Sequence, residues 1–278
     1  MGANISVYKR KDFAVTDMSI QSLAERYLQV RTSSEDTQSA ILLANNPIFT
    51  TLEGFDPSVI LEIIKQNAKP QRIAKEKRRP LNDIYRSDLG ELLMVNYFEK
   101  ECADKDEELF IIPIKNLFDR ELDNQPGRGY DVIGYRKSYD GKIILLLGEA
   151  KVSEQKKGPP DVVDVTQDSM YSNHFKSKSD IKFVEKRIAN LVKKVSAKHK
   201  TILALLLFWI STEKNDVFEI VYGCCLVRDH TCIDVGDYGK MKAEADLFLP
   251  GTVNFIIYCF DKEIREVVDL FHSKIIAA

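Results

Sequence analysis

The stretch Ile143–Lys151, I-I-L-L-L-G-E-A-K, decides the fold class of this chain. Its five consecutive large aliphatic residues predict a strand that is buried on both faces, as in a sheet covered by helices. Glu149 and Lys151 follow immediately after Gly148. Because side chains two positions apart on a strand point to the same face, the acid and the base are predicted to share one face at the strand end.

Helical and strand-like patterns surround this segment. Tyr139-Asp140-Gly141 is a hairpin signal, and it predicts that the strand before it and the Ile143 strand are antiparallel neighbours. The predicted strands are 109–114, 130–135, 142–151, 201–211, 218–227 and 253–260; the predicted helices are 17–31, 83–100, 164–174, 180–197 and 262–274. This order predicts an α/β fold with a mixed sheet flanked by helices.

The first 80 residues are predicted to form a mostly helical N-terminal region, with further helices starting at Ser33 and Asp56, and residues 81–278 to form the α/β domain. The boundary segment 69–80, K-P-Q-R-I-A-K-E-K-R-R-P, carries six bases and one acid. It is either a solvated linker or a segment that contacts phosphates or a partner through Lys75, Arg78 and Arg79. The sequence leaves both readings open.

Composition narrows the class of protein. The chain has 278 residues and a formal net charge of −2, so charge neither demands nor excludes a polyanionic partner. Five cysteines without C-x-x-C spacing predict reduced thiols in the cytoplasm and give no support for a zinc site. The longest apolar run, 202–210, is too short to cross a membrane. No G-x-S-x-G or P-loop motif is present, and no small-molecule cofactor is predicted.

The predicted hairpin would place Asp131 beside Glu149, with about 5 Å between side chains across the ladder. Two adjacent carboxylates repel each other unless a cation lies between them. Mg²⁺, or Mn²⁺ in its place, is held by oxygen ligands such as Asp131, Glu149 and the carbonyl of Ala150. Lys151 is predicted to orient or deprotonate the attacking water. Glu91, on the preceding helix, is predicted to support this metal site or to hold a second ion.

An acid and a lysine at a strand end are also common surface decoration, and a lone Asp in a strand carries little information. The joint order is sharper: a helix acid, then an Asp after G-x at a strand start, then an apolar strand ending G-E-A-K. Within this site Gly148 is predicted to continue the strand and to leave room for the ion beside Asp131.

This joint pattern resembles the PD-(D/E)xK nuclease superfamily, which implies a restriction-endonuclease-like core. The resemblance makes Glu91 the helix acid, Asp131 and Glu149 the metal ligands, and Lys151 the catalytic lysine; Tyr130 stands where a proline is frequent. In addition, Gln167 and Tyr171 are similar to the Q-x-x-x-Y element of RecB-like nucleases, which implies support of the metal site and contact with DNA. Arg128, in the loop before Asp131, is a further predicted nucleic-acid contact.

The segments R-S-D-L-G-E-L-L (86–93), G-R-G-Y-D-V-I-G-Y (127–135) and L-L-L-G-E-A-K (145–151) resemble the nuclease subunit family, HamA, of the Hachiman anti-phage defence system. That resemblance implies a partner helicase of superfamily 2. The leading hypothesis is therefore a metal-dependent nuclease that hydrolyses DNA. One alternative is a restrained or inactive nuclease-fold subunit that senses DNA or binds a partner. Another is an unrelated mixed α/β hydrolase.

Overall fold

The computed structural model describes residues 5–32, 78–102, 108–118, 130–138, 140–192, 195–214 and 216–278, with a few isolated positions between 42 and 63. The strands in these ranges are β1 (Val7–Phe13), β2 (Ile111–Lys115), β3 (Val132–Lys137), β4 (Ile143–Val152), β5 (Phe218–Asp229) and β6 (Thr252–Phe260). The α-helices are α1 (Asp17–Arg31), α2 (Arg78–Lys100), α3 (Asp161–Asp164), α4 (Met170–Ser179), α5 (Ile181–Leu191), α6 (Ala197–Ser211), α7 (Gly239–Ala243) and α8 (Ile264–Ala277).

The six described strands form one mixed sheet in the order β1-β6-β5-β4-β3-β2. β4 pairs in parallel with β5 and antiparallel with β3, so it lies inside the sheet where the two pairing modes meet. β6 and β1 extend the parallel part, and β2 extends the antiparallel part. The predicted mixed α/β fold is confirmed, and it is consistent with a nuclease-like core.

The apolar run of β4 is explained by burial on both faces. Ile144, Leu146 and Ala150 pack into one hydrophobic cluster with α1, α2 and α8. Leu145 and Leu147 pack into a second cluster with α4, α5 and α6. Because the strand is covered from both sides, its backbone is held firmly, and the polar residues at its end start from a rigid element.

Most predicted elements are confirmed, with small shifts at their ends. Helix α1 has the predicted bounds, and α2 begins five residues before the predicted Asp83, inside the basic segment. Strand β1 precedes α1 in the region that is predicted to be mostly helical. Strands β2 to β6 and helix α8 fall where the sequence places them, within a few residues. The five cysteines are free and buried.

Three predicted elements are wrong in type or extent. The segment 201–211, predicted as a strand, belongs to helix α6. Its apolar run fits a buried strand or a buried helix, and periodicity alone does not separate the two. The predicted helix 164–174 is broken between α3 and α4, and the helix predicted for 180–197 ends at Leu191 as α5.

The N-terminal region is joined to the rest of the chain through β1, which pairs with β6 along its whole length. The helices predicted to start at Ser33 and Asp56 lie mostly outside the described residues, so the division at residue 80 stays a prediction. Within the part of the chain that the structure describes, no helix combines the length and apolar character needed to cross a bilayer.

Candidate active site

Asp131 lies opposite Glu149 at the end of the β3–β4 hairpin. The ladder pairs Val132 with Gly148, and the Asp131 amide donates to the Gly148 carbonyl at 3.0 Å, which continues the ladder by one residue. The Asp131 Oδ2 atom accepts a hydrogen bond from the Ala150 amide at 2.7 Å. The predicted antiparallel hairpin is therefore confirmed, and it brings the two acids side by side.

Glu149 is only 3% exposed, although its side chain is acidic. Its Oε1 atom lies 2.7 Å from the Lys151 ammonium and accepts a hydrogen bond from Asn173 Nδ2 at 3.0 Å. Its Oε2 atom is buried and has no hydrogen-bond partner. Since a buried polar atom without a partner is costly, this oxygen is a candidate ligand atom for a cation.

The electrostatics of this group fit the same interpretation. Burial, together with the neighbouring Asp131 charge, raises the pKa of Glu149 to about 8, while Lys151 and Asn173 act in the opposite direction. Burial alone would lower the pKa of Lys151, but the nearby carboxylates of Glu149 and Asp131 raise it above its usual value. Lys151 is thus held as an ammonium ion, and a second positive charge would favour two ionised carboxylates.

An open cavity of ≈ 710 Å³ gives access to these groups at the end of β4. It lies between α2 on one side and the α4–α5 region on the other. The residues that line it are Asp83, Arg86, Ser87, Glu91, Tyr130, Asp131, Glu149, Ala150, Lys151, Val152, Asp168, Asn173, Lys176 and Phe183. The four residues predicted as the catalytic group, namely Glu91, Asp131, Glu149 and Lys151, therefore face one space.

The donor set fits a hard divalent cation. Asp131 and Glu149 supply carboxylate oxygens, and the unpartnered Glu149 Oε2 is an available ligand atom. Mg²⁺ commonly uses one or two carboxylates and completes its octahedron with water and substrate phosphate. In the described ranges no group of three or more His, Cys, Asp or Glu side chains meets as a metal cluster. The Ala150 carbonyl and the metal itself stay predictions.

Glu91 reaches the cavity from α2 and is also buried. The Ser87 hydroxyl donates to its Oε1 atom at 3.2 Å. Helix α2 passes close to the end of β4, because a Cβ atom on Gly90 would lie 2.9 Å from Val152 Cγ2. The glycine therefore sets the distance at which Glu91 approaches the site, while its supporting or metal-binding role stays a prediction.

Gln167 and Tyr171 both fall in the helix predicted over residues 164–174, and this placement is wrong for Gln167. Gln167 lies exposed in the turn between α3 and α4, and only Tyr171 is helical. The Tyr171 hydroxyl donates to Glu244 instead. Neither residue is among the described residues that line the cavity. The amide that reaches Glu149 comes from Asn173, a residue that the sequence reading missed.

The basic residues predicted to contact nucleic acid are only partly described. Lys75 and Arg128 lie outside the described residues, and Arg78 and Arg79 start helix α2 with side chains that are not described. Two other bases line the cavity and were not predicted. They are Arg86, paired with Glu154 at 3.0 Å, and Lys176, whose ammonium lies 4.7 Å from the Phe183 ring centroid.

Gly148 continues the strand as predicted, but it does not leave room for an ion. A Cβ atom there would lie 2.3 Å from Val132 Cγ2 and 3.1 Å from Met94 Sδ. Gly148 faces α2, whereas Glu149 and Lys151 face α4. The glycine is thus required by the close packing of helix α2 and strand β3 against β4.

Fold and site together define a mixed α/β protein that is consistent with a nuclease-like fold, with a carboxylate–lysine site at the end of an interior strand. The HamA family profile matches residues 54–275, and the chain belongs to the HamA family. Membership of this family indicates a component of the Hachiman anti-phage defence system, which implies a partner protein. No curated protein and no solved structure matches the chain.

Proposed function

We propose that the protein is a metal-dependent nuclease that hydrolyses DNA phosphodiester bonds as the effector of its defence system. The observation that carries this proposal is the buried Glu149, which has one unpartnered oxygen, stands beside Asp131 and Lys151, and faces an open cavity. A buried acid in a cleft, with its pKa raised by burial and by a neighbouring charge, is a candidate functional group.

In the proposed reaction, Asp131 and Glu149 would hold Mg²⁺ or Mn²⁺. When bound, the ion would lower the pKa of a coordinated water and offset negative charge on the phosphate. Lys151, kept protonated by its two acidic neighbours, orients the attacking water and donates to the phosphate oxygens as charge develops. The water oxygen bonds to phosphorus and gives one proton to solvent, while the bond to the leaving ester oxygen breaks and that oxygen takes one proton from solvent.

DNA is the proposed substrate because the cavity holds the carboxylate–lysine site and has a basic side chain on each of its two sides. Arg86 lies on α2 and Lys176 on α4, so a strand entering the cleft would meet a positive charge on either side. The defence-system membership supports a polynucleotide target and an associated helicase of superfamily 2, which we propose as the partner. Lys75, Arg78, Arg79 and Arg128 remain proposed DNA contacts.

The test is cleavage of plasmid and linear DNA by the purified protein with Mg²⁺ or Mn²⁺, with and without EDTA. Asp131→Asn, Glu149→Ala and Lys151→Ala are compared with Lys262→Ala and Glu266→Ala, which break an exposed ion pair on α8 and its preceding turn. We expect cleavage by the wild type and the two control variants, and loss of at least about 100-fold in the three site variants.

Cleavage that persists in the site variants would refute the assigned centre. If the wild type does not cleave, the same assay is repeated with the co-purified partner complex, because a partner can hold a nuclease inactive. DNA binding without cleavage by that complex, in either metal, would favour the restrained nuclease-fold subunit over the nuclease.

A further inference from the structure

We infer that Asn116 and Arg187 form a relay that positions the Asp131 carboxylate for metal binding. The inference rests on the proposed function, since it concerns the same metal site. Asn116 follows β2 in the short 3₁₀ turn Asn116–Phe118, and Arg187 lies on α5. The relay thus joins the turn after β2, the residue before β3 and helix α5.

Asn116 is bound to Asp131 twice. Its backbone amide donates to the Asp131 carbonyl at 2.8 Å, and its side-chain Nδ2 donates to Asp131 Oδ1 at 3.2 Å. Asn116 is only 3% exposed, so these bonds are shielded from competing water. The first bond fixes the main chain of Asp131, and the second fixes the rotation of its carboxylate.

Arg187 decides which end of the Asn116 amide faces the carboxylate. Its Nη2 atom donates to Asn116 Oδ1 at 3.0 Å. Guanidinium nitrogens only donate and carboxylate oxygens only accept. A flipped amide would therefore set donor against donor at Arg187 and acceptor against acceptor at Asp131. The guanidinium makes the observed orientation the only one in which both contacts are hydrogen bonds.

The result is a carboxylate that is oriented from two sides. Ala150 N donates to Asp131 Oδ2 and Asn116 donates to Oδ1, so a hydrogen bond holds each oxygen of the carboxylate. Asn173 donates to Glu149 in a similar way. The Asn116 amide differs because the Arg187 guanidinium orients it. Partners of this kind typically contribute about 10- to 100-fold to metal affinity or activity.

The test measures Mn²⁺ affinity by titration without DNA, so that it does not depend on cleavage. The variants are Asn116→Leu, Arg187→Met and the double variant, with thermal unfolding as a check of folding. Asn254→Leu is the matched control, because Asn254 accepts a hydrogen bond from Tyr97 at 3.0 Å and lies on β6, outside the cavity lining. Arg187 is partly exposed, so Arg187→Met tests the relay even if Asn116→Leu fails to fold.

We expect Asn116→Leu to weaken Mn²⁺ binding by about 10- to 100-fold and Arg187→Met by a smaller factor, while Asn254→Leu binds as the wild type does. In the double variant, the loss should equal that of Asn116→Leu alone, since Arg187 acts through the amide. The relay would be refuted if folded variants bound Mn²⁺ as tightly as the wild type, or if the losses of the two single variants added up in the double variant. Neither result would refute the metal site itself. A wild type that binds no Mn²⁺ would remove the metal site and the relay together.

Discussion

The Lys151 ammonium lies 2.7 Å from Oε1 of Glu149, the same oxygen that Asn173 binds, so the lysine leaves Oε2 of the acid buried and without a hydrogen-bond partner. A strand supplies this arrangement directly, because alternate residues share a face. One oxygen is thus used to hold the lysine and the other is available to a cation.

Lys151→Arg should lower the rate of DNA cleavage by at least about 100-fold, although it conserves the charge. A planar guanidinium beside Glu149 can bind both carboxylate oxygens, and it would then occupy the Oε2 atom that we assign to the metal ion. Initial cleavage rates measure the effect, with Lys262→Arg on the exposed turn before α8 as control. An arginine variant as fast as the wild type would refute this division of the two oxygens.

Glu149→Gln should change how the stability of the metal-free protein depends on pH. The folded-state pKa of Glu149 is raised from 4.5 to about 8, so the fold binds its proton more tightly than the unfolded chain does. This contribution to stability is complete below about pH 4.5 and is lost as the pH rises through about 8. Glutamine cannot titrate, and its amide oxygen can still accept from Asn173.

The measurement is the melting temperature in EDTA between about pH 5 and about pH 9. The wild type should lose more stability over this range than Glu149→Gln, and added Mg²⁺ should restore the wild type alone at the alkaline end. Parallel curves for the two proteins would show that Glu149 does not carry the raised pKa.

Asn173→Ala should reduce cleavage by about tenfold or more, whereas Gln167→Ala should leave it close to the wild-type rate. Asn173 holds Oε1 of Glu149 at 3.0 Å, while Gln167 lies exposed in the turn before α4. The measurement compares the DNA cleavage rates of the two variants at a saturating concentration of metal ion. A larger loss in Gln167→Ala would restore the role that the Q-x-x-x-Y resemblance gives to that residue.

Gly148→Ala should destabilise the protein by about 1–3 kcal/mol, because the added methyl group overpacks the interface of β4 with Val132 and Met94. Urea unfolding of the single variant measures this cost. The double variant Gly148→Ala/Val132→Ala should recover part of it, since the Val132 methyl group in closest approach is removed. The steric explanation would be contradicted if the double variant lost as much stability as the Gly148→Ala and Val132→Ala single variants lose together.

How much the sequence predicts depends on the range of the interaction involved. The β4 run and its hairpin with β3 are local patterns, and they were sufficient to place Asp131 beside Glu149 and to put Lys151 on the same face. The prediction of a strand at 201–211 is wrong because a Leu-rich apolar run fits a buried helix as well as a buried strand. The α3–α4 break has a local signal in the sequence, since Ser169 caps α4 by accepting from the Ser172 amide.

The supporting contacts of the site could not be read from the sequence. Asn116 and Arg187 are 71 positions apart, and their contact depends on how α5 packs against the turn after β2. Asn173 lies closer to Glu149 along the chain, but its orientation toward the strand depends on where α4 begins. Pattern reasoning therefore found the acids and the lysine, which sit on one hairpin, and missed the amides that orient them.

The pairing of β1 with β6 has a practical consequence for truncation. A chain shortened to residues 81–278 would lose β1 and expose the backbone edge of β6, whose residues Asn254–Phe260 are paired with Val7–Phe13 in the whole protein. It would also lose α1, whose Tyr27 ring packs edge-on against Phe271 of α8 at 5.6 Å. An uncovered apolar strand edge invites self-association, so such a fragment would precipitate or form oligomers whatever the state of its catalytic residues.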